Sequence, residues 1–164
     1  MSEIKTDVSS FPVGEINPFG KYFTGNSYLA PMTSKDDQVS ITNVTFEPGC
    51  INNWHVHHGC QQILVCVGGK GWYQEWGKEP VKMKPGDVIS IPLDVKHWHG
   101  ATKDSWFAHL SITANGIEGS NEWLEPVNPE DYDSLNENEG PAFAGSFRSG
   151  RNRYGKQTGS TGSS

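Results

Sequence analysis

Between residues 39 and 113 the chain is cut into short apolar-rich runs by turns recurring every ~8–12 residues, and this spacing restricts the fold more than any other feature. Residues 39–46 (Val-Ser-Ile-Thr-Asn-Val-Thr-Phe) alternate apolar and polar, the pattern of a half-buried strand. Glu47-Pro48-Gly49 turns it. Residues 61–67 are apolar on both faces, as in a central strand. Gly68-Gly69-Lys70-Gly71 and Gly77-Lys78 bracket a return strand over 72–76. Further strands are expected over 81–84, 88–92, 96–101 and 106–113, and an earlier one over 21–29. Such a series predicts an all-β protein, an antiparallel sandwich or barrel. Only residues 128–135 look helical, with Asn128 as N-cap, Pro129 as first residue and acids in the first turn.

At 164 residues the chain is long enough for one domain with a real core. We expect an N-terminal arm over 1–17, a domain over 18–135, and a flexible Gly/Ser-rich tail over 136–164, in part an expression-derived addition. The formal net charge of −6 argues against nucleic acid or an anionic membrane surface as partner. No run of ~18 apolar residues and no signal-peptide core occur, and three cysteines without a CxxC pair fit a reducing compartment, so a cytoplasmic location is expected. Packing is the expected role of Cys60 and Cys66.

Five of the six histidines fall in two runs, Trp54-His55-Val56-His57-His58-Gly59-Cys60-Gln61 and Lys96-His97-Trp98-His99-Gly100-Ala101. His55 and His57 are spaced i, i+2, so on a strand they share a face, and Gln61 opens the next strand. With His97 they make a plausible set of three imidazoles and one amide oxygen for a divalent metal: His55, His57, Gln61 and His97. His99 shares the face of His97 and is expected as a general base; His109, on the next long strand, is expected as acid, base or substrate orienter. His58 and Lys96 are expected to face solvent, Phe107 to line the cavity mouth, and Gln74 to be a candidate for the interior.

These runs resemble the two motifs of the cupins. Gly49, His55, His57, Gln61 and Gly68 stand at the spacing of the first motif, with Gln where glutamate is usual. Gly86, Pro92, Asp94, His97 and Ala101 follow the second, with Asp94 for the usual Gly and Ala101 for the usual Asn. Phe46-Glu47-Pro48-Gly49, Gly71-Trp72 and Lys84-Pro85-Gly86-Asp87-Val88 are similar to small single-domain cupins, some grouped with carboxymuconolactone decarboxylase and others manganese-dependent hydroxynitrile lyases. The resemblance implies a double-stranded β-helix or jelly-roll barrel with a short C-terminal helix, and a divalent ion, manganese first, with iron, zinc or nickel as alternatives. It implies lyase chemistry on a small polar or anionic substrate, with a metal-dependent dioxygenase or a non-catalytic binding cupin as alternatives. It also implies a homodimer or homotetramer. The amide in place of a carboxylate keeps the full dipositive charge of the ion felt by substrate, which favours Lewis-acid over oxygenase chemistry.

Overall fold

The computed structural model describes residues 5–115 and 119–137. Most of the expected tail, 138–164, lies outside them. Thirteen strands occur among the described residues: β1 (Glu15–Ile16), β2 (Phe23–Thr24), β3 (Ser27–Pro31), β4 (Val39–Phe46), β5 (Ile51–Asn52), β6 (His55–His58), β7 (Gln62–Gly69), β8 (Gly71–Glu75), β9 (Val81–Met83), β10 (Val88–Ile91), β11 (His97–Ala101), β12 (Phe107–Ala114) and β13 (Ser120–Trp123). Helix α1 spans Pro129–Glu137.

The strands form two antiparallel sheets. One runs β1-β3-β4-β12-β7-β10; the other runs β13-β6-β11-β5-β2, with β8 on β11 and β9 on β8. The alternation in the sequence becomes the inner face. Val44, Phe46, Leu64, Cys66, Ile89, Ile91 and Phe107 of the first sheet meet Tyr73, Met83 and Ala101 of the second. Phe46, Leu64, Met83 and Phe107 are wholly buried, and each such side chain contributes about 1.5–3 kcal/mol relative to exposure. Burial also pushes the Cys50 and Cys66 thiols up to about 12, so both are inert packing groups.

The outer face of the second sheet is covered as well. Trp54, Trp72 and Trp98 pack there against Val127 and Tyr132, and the Tyr132 hydroxyl donates to Ala101 O at 2.7 Å. Helix α1 starts as its sequence dictates, the Asn128 side chain accepting from Glu130 N at 2.9 Å. On the outer face of the first sheet lies the N-terminal segment. β1 pairs with β3, Asn43 donates to Pro12 O at 2.8 Å, and a Cβ on Gly68 would meet Val8 O at 2.1 Å. The expected strand over 21–29 is broken into a 3-10 turn (Gly20–Tyr22), β2 and β3, with Gly25 between the strands at φ 90°.

Candidate metal centre

His97 of β11 stands directly across from His55 of β6, and His57 follows two residues along β6. The ring centroids lie 4.2 Å apart for His55 and His97, 5.1 Å for His55 and His57, and 5.1 Å for His57 and His97. Nitrogens from all three fall within 4.8 Å of one another. Each ring is oriented by an oxygen at its far side. His55 Nδ1 donates to Asn53 O at 2.8 Å, His97 Nδ1 to Val95 O at 2.9 Å, and His57 Nδ1 to Asn121 Oδ1 at 2.6 Å. A carbonyl only accepts, so Nδ1 carries the proton and Nε2 presents its lone pair inward.

Burial reinforces this. It holds His55 well below the usual imidazole range, lowers His57, and brings His97 to about 4. All three are therefore neutral near pH 7. The Nε2 atoms of His57 and His97 are buried without a hydrogen-bond partner, as is Oε1 of Gln62. Leaving such groups unsatisfied costs about 1–3 kcal/mol each. A divalent cation satisfies all three atoms together, so the residues present fit one.

The amide at this point belongs to Gln62, where Gln61 was expected. Gln61 is exposed, and its Nε2 donates to Ser90 Oγ at 2.7 Å. Gly59 at φ 80° opens a turn through Cys60 and Gln61, and β7 begins only at Gln62. One extra turn residue moves the alternation by one, so Gln62, Leu64 and Cys66 face inward. Gln62 Nε2 donates to Ser111 Oγ, leaving Oε1 towards the imidazoles.

His99 and His109 are both buried, at 4% and 1% exposure, with ring centroids 4.9 Å apart. Asn52 fixes the tautomer of His99. Its Oδ1 accepts from the backbone N–H of His99 at 2.9 Å, which turns its Nδ2 towards His99 Nε2 at 3.2 Å. An amide nitrogen can only donate, so Nε2 is the acceptor and Nδ1 carries the hydrogen. That Nδ1 has no partner, and neither nitrogen of His109 has one. Burial brings His109 to about 4 and holds His99 well below its usual value. The pair therefore offers N–H groups and one free lone pair, that of His109, to whatever occupies the space beside them.

That space is a cavity of 130 Å³. One wall is apolar, formed by Phe23, Leu29, Val44 and Phe46; the other carries His55, His57, Gln62, His99 and His109. Trp123 and Phe19 stand among its lining residues, with Phe19 54% exposed. A second recess of 310 Å³ shares His57, Gln62 and Asn121 with the first and is lined by polar groups that include Ser111, Thr113 and Ser120.

The other expectations divide. His58 is half-exposed and bridges Asp94 and Glu122 at 2.7 and 2.9 Å, which raise its pKa. Gln74 faces outward, accepting from Trp98 Nε1 at 2.9 Å, and Phe107 is wholly in the core. Lys96 is not a solvated lysine: it is ion-paired and lies over two indole rings. Asn52 and Asn121 carry no pattern that marks them in the sequence, because each acquires its role from a strand pairing.

Two antiparallel sheets packed around an inward imidazole cluster define a class of β-barrel-like proteins able to hold a metal ion. Comparison with known proteins gives the particular one. A family model described as "Cupin domain" matches residues 42–113. A (R)-mandelonitrile lyase of Granulicella tundricola is 34% identical over 113 residues, covering 68% of this chain and 86% of that one. A cupin-like protein of Thermotoga maritima superposes with TM-score 0.72 at 37% identity, covering 79% of this chain and 98% of that one. A predicted oxalate decarboxylase of the same organism shares the fold at TM-score 0.57 and 19% identity, covering 70% and 99%. The chain belongs to the cupin superfamily. Among the described residues no helix is long and apolar enough to cross a membrane.

Proposed function

We propose that this cupin is a metal-dependent lyase that splits a carbon–carbon bond beside a hydroxyl, as in a cyanohydrin. The observation that carries the reading is a buried pair of imidazoles, His99 and His109, whose unpartnered nitrogens lie beside three oriented metal-ligand candidates. The identity to a (R)-mandelonitrile lyase supports the same chemistry. His55, His57, Gln62 and His97 would hold the ion. We favour manganese, because four neutral ligands around a six-coordinate ion leave two positions open and the amide oxygen is a hard donor. When bound, the ion supplies Lewis acidity to a substrate oxygen.

The remaining work falls to the chain. His109 has a free lone pair and takes the substrate hydroxyl proton; the base role expected of His99 passes to it, because the His99 Nε2 lone pair is engaged by Asn52. As the carbonyl forms, the carbon–carbon bonding pair leaves with the nitrile carbon as cyanide. His99 Nδ1–H donates a hydrogen bond to the departing anion, and the proton held by His109 converts it to hydrogen cyanide. The apolar wall of Phe23, Leu29, Val44 and Phe46 receives the rest of the substrate. At 130 Å³ the cavity compares with the roughly 150 Å³ cavity that accepts benzene, so a single ring or a branched alkyl group fits.

Turnover of mandelonitrile by manganese-loaded protein tests the proposal. His109→Phe keeps an aromatic ring beside Phe46 and Phe107 while removing both nitrogens, so it is expected to fold and keep its metal while kcat falls about 10²-fold or more. Absence of cyanohydrin cleavage by wild-type protein loaded with manganese, iron or zinc would remove the lyase reading.

A further inference from the structure

Directly behind the imidazole cluster, around the residues that lead into β6 and β11, the structure builds a cation clamp. Strand alternation makes Trp54 the outward neighbour of His55 and Lys96 the outward neighbour of His97. Lys96 Nζ lies 3.6 Å from the centroid of the Trp76 ring and 5.6 Å from that of Trp54. The two indoles meet edge to face at 5.0 Å, and Nζ bonds Glu125 Oε1 at 2.7 Å. Three backbone hydrogen bonds run through the same residues. Trp76 N donates to Lys96 O at 2.8 Å, Trp54 N to Glu125 O at 3.0 Å, and Leu124 N to Trp54 O at 2.8 Å.

We propose that Lys96 is a positioning residue for the metal centre, holding through Trp54, Trp76 and Glu125 the two backbone segments whose carbonyls orient His55 and His97. Those carbonyls belong to Asn53 and Val95, each the residue immediately before a clamp member. β6 and β11 are in ladder register only at His55 and His97, so the backbone pairing between them is short. An ammonium between two indoles and a carboxylate supplies a cross-strand tie that this single register pair lacks. A cation–π contact is weak at an exposed site and stronger when partly desolvated. The lysine side chain is 23% exposed, which puts it between those cases. The tie acts on ring orientation. If Asn53 or Val95 tilts, the imidazole it orients turns with it and the Nε2 lone pair leaves the common point.

This inference rests on the reading that the three imidazoles hold a divalent metal. The test is titration of the full-length metal-free protein with Co²⁺, with its visible absorption reporting geometry, beside thermal melts of the same metal-free samples. Lys96→Met is expected to weaken Co²⁺ binding by about 10-fold and alter the cobalt spectrum, while the metal-free melting temperature changes little. Lys96→Arg keeps the stacking and the ion pair and is expected to bind nearly as the wild type does. Lys82→Met removes another lysine lying over an indole, 5.8 Å from Trp72 and away from the ligand-bearing strands, and is expected to leave binding unchanged. Should Lys96→Met fail to fold, Glu125→Gln, at an exposed carboxylate, carries the same expectation at smaller amplitude. Equal Co²⁺ affinity and spectra in wild type, Lys96→Met and Glu125→Gln would overturn the clamp alone. A wild-type protein that takes up no Co²⁺ would overturn the metal reading and the clamp's purpose together.

Discussion

Gln61→Ala and Gln62→Ala separate two neighbouring amides with opposite roles. Gln62→Ala is expected to weaken metal binding by on the order of 10-fold, about 1.4 kcal/mol, because it removes the buried, unpartnered Oε1 beside the imidazoles. Gln61→Ala loses only a surface hydrogen bond to Ser90 and is expected to bind metal as the wild type does. Competition against a chromophoric chelator measures both. The histidines were legible in the sequence because strand alternation needs no knowledge of a turn: His55 and His57 share a strand, as do His97 and His99. The glutamine was not, because its face depends on how many residues the turn after His58 consumes, and a glycine at φ 80° permits one more than simple alternation assumes.

At the scale of the strand, β11 carries the most function and has little room. Gly100 lies against β5, where a Cβ would meet Ile51 Cα at 2.5 Å and Cys50 O at 2.6 Å. Both are backbone atoms that cannot rotate away. Gly100→Ala is expected to cost about 1–3 kcal/mol in urea unfolding and to weaken metal binding with it, since His97 and His99 ride on the same strand. The strand series from 39 to 113 was legible from periodicity and turn residues, and so was the helix cap at Asn128. The surroundings of Lys96 were not. Alternation says that a side chain faces outward, but only the fold brings Trp76 from the turn after β8 and Glu125 from beyond β13 around it. Asn52 and Asn121 escaped for the same reason, since each meets its histidine across strands far apart in the chain.

For the molecule as a whole, the buried imidazoles tie stability to acidity. His97 and His109 stand at about 4 in the folded chain against the usual 6.5, so the unfolded chain takes up protons first as pH falls. The metal-free protein is therefore expected to hold its full stability above about pH 6.5 and to lose it progressively down to about pH 4, which melts across that range would register. A second consequence follows from the two cavities that meet at His57, Gln62 and Asn121. A centre bordered by two recesses gives a chelator more than one approach to an ion without dismantling the barrel. Excess EDTA is then expected to strip the metal in a time far shorter than that of global unfolding measured by hydrogen exchange. The identity of the ion in the cell would accordingly follow the prevailing supply of metals, with the barrel keeping no memory of the ion present when it folded.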